Sequence, residues 1–141
     1  MEGNLCWIGY NMQRKPWALE INISFRREVD KFEDAKSGLD ATTAKQYPLI
    51  LVNDDLPAGG LVLPEQISLD DVVQIGCHVI KKIRLEGSNI STPILVTHIG
   101  NFVGYVPKNA IKLYMNSGAN ECIDISQCSL SEFANAVGNY L

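Results

Sequence analysis

Two apolar runs, each entered through a proline, constrain this chain more than any other feature: residues 49–52 in YPLILVN and 94–97 in TPILVTH. A strand with one wet face alternates apolar and polar residues, whereas an uninterrupted apolar run suits a parallel strand covered by helices on both sides. Both runs are therefore expected to be central strands. Three shorter candidates, residues 5–9, 29–32 and 122–125, bring the set to five, and segments of helical spacing lie between them. The alternation predicts an α/β sandwich with a mostly parallel sheet, built as a single domain over residues 1–141.

The helices follow from apolar spacing and end signals. A long one is expected to open with Ser68 as N-cap, to carry Leu69, Val72, Val73, Gly76, Ile80 and Ile83 on one stripe, and to end before Gly87. A shorter one should start at Pro107 and stop at Gly118, and a last one should be capped by Ser129 and run from Leu130 toward Leu141. Residues 36–45 are expected to form the second helix, with Leu39 and Ala44 turned inward. A first, less regular helix is expected before it, because Pro16 and the alternation of Leu19-Glu-Ile-Asn-Ile-Ser work against a regular one. The glycine- and proline-rich residues 54–66 read as an irregular connection.

Charge and cysteine usage narrow the function classes. Twelve basic residues against sixteen acidic ones give a net charge of −4, and the basic ones are scattered, so no nucleic-acid partner is expected. No apolar run approaches the roughly 18 residues of a membrane helix, and residues 1–10 lack the pattern of an export signal, so no membrane partner is expected and a cytoplasmic location is. The four cysteines form no Cys-x-x-Cys pair, and only His78 and His98 are available to join them, which argues against a zinc centre. Gly59-Gly60 is too small a signal for a phosphate cradle.

Three segments in order, LILVNDDLP (49–57), STPILVTH (91–98) and AIKLYMNSGANECID (110–124), resemble the receiver domain of two-component response regulators over nearly the whole chain. The resemblance implies a CheY-like (flavodoxin-like) three-layer sandwich, a five-stranded parallel sheet of order 2-1-3-4-5 with helices on both faces. It also implies a site. Receivers place a phosphoaccepting aspartate at the end of the third strand, paired acids after the first strand to hold Mg²⁺, a hydroxyl after the fourth strand and a lysine after the fifth. A carboxylate forms an acyl phosphate where an amide does not, and Mg²⁺ asks for hard oxygen ligands.

Carried over residue by residue, the phosphoacceptor position, four before Pro57, is Asn53. The acid pair falls on Tyr10 and Asn11, or on Asn11 and Met12 with a slip of one, and the lysine position on Ile125. Only Thr97 retains the family's residue type. A carboxylate about 4 Å from a unit charge contributes roughly 4 kcal/mol at an effective dielectric of about 20, so losing these acids should weaken Mg²⁺ binding by orders of magnitude. Asp54 and Asp55 are the remaining carboxylates that a shifted strand end would bring to the pocket. Cys122 stands where receivers carry a switching aromatic ring. His98 is expected as an exposed loop histidine, with a pH-dependent or ligand-binding role as its alternative.

The expected function is thus an atypical or pseudo-receiver, not an enzyme and without a cofactor or metal, that works by protein–protein contact in a signalling pathway. A homodimer is left open. The resemblance implies a partner face around Phe102, Tyr105, Lys108, Lys112 and Cys122. Two alternatives stand beside it: a working receiver phosphorylated on Asp54 or Asp55, and a flavodoxin-like small-molecule binding domain using the crevice at the strand ends.

Overall fold

Side chains that alternate along the central strands divide the core into two layers. In the computed structural model, which describes residues 2–10, 16–98 and 108–141, the strands are β1 (Leu5–Ile8), β2 (Val29–Phe32), β3 (Ile50–Asn53), β4 (Ile94–His98) and β5 (Glu121–Asp124). All neighbours pair in parallel, in the order β2-β1-β3-β4-β5. Leu5, Trp7, Leu49, Leu51 and Leu95 point to the side covered by α1 (Trp17–Phe25) and α5 (Leu130–Gly138), where they meet Trp17, Ile21, Phe133 and Val137. Cys6, Ile8, Ile50, Val52, Ile94 and Val96 point the other way, onto α2 (Ala35–Ala44), α3 (Val72–Leu85) and α4 (Lys108–Ser117). The expected CheY-like sandwich with its 2-1-3-4-5 sheet is therefore the fold.

The apolar runs are buried as expected: β1, β3 and β4 are buried at every position. Each large aliphatic side chain moved fully out of water contributes about 1.5–3 kcal/mol, so these strands carry much of the fold. Boundaries differ in small ways that matter for the site. β1 ends at Ile8, because Gly9 turns the chain with φ +79°. β3 reaches Asn53 and β4 reaches His98, each one residue beyond expectation, while β5 stops at Asp124 and leaves Ile125 to a 3-10 turn.

Helix starts follow side-chain caps. Asp71, not Ser68, caps α3, its carboxylate accepting from the Gln74 amide; Ser68 spends its hydroxyl on the Asp70 amide in the preceding turn. Leu69 consequently lies outside the helix and is exposed. α2 is capped by Asp34 and starts at Ala35; Ala44 at its end is exposed, while Leu39 packs against the core. α1 is a regular helix that Arg26 ends in the left-handed conformation. Ser129 caps α5 as expected, in a reciprocal pairing with Glu132.

Two polar side chains, the buried Asn89 and the half-buried Arg84, fasten the sheet at the amino-terminal ends of the strands. Asn89 accepts from the Tyr47 amide and the Thr92 hydroxyl and donates to the Thr42 and Lys45 carbonyls. Arg84 donates to the carbonyls of Asn89, Ile90, Thr92 and Gly118 and to the Asn120 side chain, which itself accepts from the Ile94 amide.

Candidate functional site

The carboxyl ends of β1, β3 and β4 meet where the sheet order reverses, which is where open α/β sheets bind ligands. Asn53 ends β3 in register with Thr97 on β4, and both are buried. Its Oδ1 accepts no hydrogen bond among the described residues. Among the described residues, the Thr97 hydroxyl donates a long 3.5 Å hydrogen bond to the Val52 carbonyl. Gly9 closes the other side: a Cβ there would lie 3.1 Å from that of Asn53 and 3.0 Å from Leu56, on a backbone already at positive φ. The amide and the hydroxyl singled out from sequence are thus brought side by side.

The two aspartates after Asn53 diverge. Asp55 is exposed and lines an open pocket of about 640 Å³ with Gly9, Tyr10, Glu33, Pro57 and Asp70. Asp54 is only 6% exposed and turns to the other side of β4, where its Oδ2 is hydrogen-bonded to His98 Nδ1 at 2.9 Å. Its amide also donates to the Thr97 carbonyl, continuing the β3–β4 ladder past the strand end. Burial pushes the Asp54 carboxyl above the ordinary carboxylate range, with the hydrogen bond and charge of His98 pulling against that rise. His98, expected as an exposed loop histidine, is instead a strand residue 4% exposed. β4 continues far enough for it to pair with Asp124 on β5, which carries its side chain beneath α4 rather than into solvent.

Ile125, the residue expected from the sequence at the lysine position, is fully buried with Trp7, Leu95 and Phe133 on the α1/α5 side. Cys122 is half-buried and pairs with Val96. Burial, with smaller contributions from Cys77, Asp54 and Glu121, pushes its thiol up to about 11, so it is no activated nucleophile. On the expected partner face, Lys112 is exposed on α4, and Lys108 begins that helix. Asn11, Phe102, Tyr105 and Pro107 lie outside the described residues. Among the described residues, no group of three or more histidines, cysteines or carboxylates has the geometry to hold a metal, and no helix is long and apolar enough to cross a membrane.

Sequence reasoning missed Glu33 and Asp70 beside the Tyr10 pocket, because they come from two separate connections with no shared motif. It also missed the pairing of Asp54 with His98, two residues 44 positions apart whose contact depends on the β3–β4 register.

No family model matches the sequence, and no curated protein matches it either. Solved structures do resemble it. A signal receiver domain of a two-component histidine kinase from Clostridium thermocellum superposes with a TM-score of 0.72 at 12% identity, covering 100% of this chain and 98% of that one. The chain has the receiver fold. The chemotaxis response regulator CheY4 of Vibrio cholerae matches at 0.64 and 14% identity over 100% of this chain and 99% of that one. The receiver domain of a Pseudomonas aeruginosa sensor histidine kinase, which has a magnesium ion coordinated in its active-site cleft, matches at 0.62 and 15% identity over 99% and 98%.

Proposed function

We propose that this chain is a pseudo-receiver: a receiver-fold signalling module that acts by protein–protein contact without aspartyl phosphorylation. The observation that carries the reading is Asn53, a buried amide at the end of β3 beside Thr97, at the position where receivers have their phosphoaccepting aspartate. An amide nitrogen or oxygen does not serve as the nucleophile for an acyl phosphate. Ile125 supports the same reading, since a core isoleucine in place of lysine leaves phosphoryl oxygens without that cationic partner. Tyr10, half-buried at the rim, brings a phenol rather than a carboxylate to the end of β1.

The second reading, phosphorylation of Asp55, draws on its exposure and on the pocket it shares with Glu33 and Asp70. Asp54 is a poorer acceptor because it is buried and engaged by His98. Intact-mass spectrometry after incubation with acetyl phosphate, with and without Mg²⁺, separates the readings. The parent chain and an Asn53→Asp variant are expected to show no adduct of phosphoryl mass, the variant because its neighbours at the lysine and acid-pair positions are still absent. A Mg²⁺-dependent adduct on the parent that disappears in Asp55→Ala would overturn the pseudo-receiver reading.

A further inference from the structure

A second cavity lies on the opposite side of β4 from Asn53, between the ends of β3, β4 and β5 and the first turns of α4. It has a volume of about 140 Å³, enough for about five water molecules at about 30 Å³ each. Its walls are apolar, from Val96, Ile111 and Ile123, with the Cys122 thiol beside them. Its polar groups are Asp54, His98 and, toward the surface, Asp124.

Asp54 is the unusual member. His98 occupies its Oδ2, but its Oδ1 is buried with no hydrogen-bond partner among the described residues. A carboxylate oxygen in that position favours an arriving donor, above all a charged one. A second carboxylate, Asp124, stands at the mouth, where its side chain already accepts from the Ser126 amide and hydroxyl. Ile111, on the α4 side of the cavity, is 42% exposed.

We propose that this cavity receives the side chain of a lysine from a partner protein, the aliphatic stem lying along Val96, Ile111 and Ile123 and the ammonium reaching Asp54. The assignment deepens the protein-contact function proposed above and rests on it. Three properties select the guest. Acidic groups within and at the mouth favour a cation, and the apolar walls favour a hydrocarbon stem between charge and backbone. The engagement of Oδ2 by His98 leaves one oxygen open, which suits the point charge of an ammonium and not the two-pronged fork of a guanidinium. The space accommodates about five non-hydrogen atoms, the number in a lysine side chain.

The test is a backbone amide chemical-shift titration of the full chain with n-butylammonium chloride, and with n-butanol as the neutral analogue. Saturable shifts at Ile111, Cys122 and Ile123 are expected, with butanol weaker by about tenfold or more. Asp54→Asn should abolish them, and Ile111→Lys, an exposed helix substitution that sets a like charge at the mouth, should weaken them severalfold in a folded chain. A blocked tripeptide with a central lysine should shift the same amides, and its arginine counterpart should bind more weakly. No saturable shift, an equal response to butanol, or undiminished binding by both variants would overturn the pocket. Binding of butylammonium but not of the lysine peptide would overturn the assignment to a partner protein and leave a site for free amines. The readout is independent of acetyl phosphate chemistry: a phosphoryl adduct overturns the pseudo-receiver reading whatever butylammonium does, and a failed titration without an adduct overturns the lysine pocket alone.

Discussion

Single residues in this chain show how far environment decides what a functional group can do. Asp54 and Asp55 are adjacent and chemically identical, yet one is sealed against His98 and the other is exposed at the rim. Because burial raises the Asp54 pKa in the folded state, the fold binds that proton more tightly than the unfolded chain does. The group's contribution is most favourable below its unfolded value and is lost as pH rises through the folded one. Asp54→Asn removes that penalty while keeping a hydrogen-bonding group beside His98, so it is expected to be at least as stable as the parent at pH 7 by urea denaturation. Asp30 works in the opposite sense. Desolvation raises its pKa, but hydrogen bonds from Asn4, Tyr47 and Lys45 outweigh that and hold it below the ordinary value of 3.8. Its contribution is present above that value and disappears as pH falls through the lowered one, so Asp30→Asn should flatten the decline of stability below pH 4. Asn89, buried with both ends of its amide engaged, is a third case. Asn89→Ala leaves two backbone carbonyls and an amide without their partner and is expected to cost about 3 kcal/mol by the same denaturation measurement.

Among the elements, the strands were the part most readable from sequence and the helix starts and the rim the least. Uninterrupted apolar runs behind Pro48 and Pro93 announce strands buried on both faces, because a pattern so lacking in polar positions leaves few alternatives. The start of α3 was ambiguous because Ser68 and Asp71 are both good caps, and only the turn that Ser68 makes with Asp70 decides between them. His98 was misplaced for a nonlocal reason: whether β4 includes it depends on its pairing with Asp124. Of the site, Asn53 and Thr97 were legible by position and lie in register, whereas the Asp54–His98 pair and Glu33 carried no local signal. Helix packing yields its own test. A Cβ on Gly38 of α2 would collide with the outer carbons of Ile8 on β1, so Gly38→Ala should lose about 1–3 kcal/mol despite the better helix propensity of alanine. In a double-mutant cycle with Ile8→Ala the two losses should sum to more than the loss in the pair.

At the scale of the whole molecule, two core layers share one sheet, and Trp7 and Trp17 both belong to the α1/α5 layer. Tryptophan fluorescence therefore reports that layer, while far-ultraviolet circular dichroism reports helices on both sides. Coincident urea transitions are expected for the two signals, since the shared strands make separation of the layers costly; displaced midpoints would show that one layer opens first. The fastening by Arg84 and Asn89 sits at the amino-terminal edge of the sheet, and the groups proposed for recognition sit at the carboxyl-terminal edge. That separation bears on how such a chain tolerates variation. A library randomised at the exposed Asp55, Ile111 and Lys112 would draw little on the contacts that hold the strands in place, so binding specificity is open to selection there over many substitutions before solubility or folding yield becomes the limit.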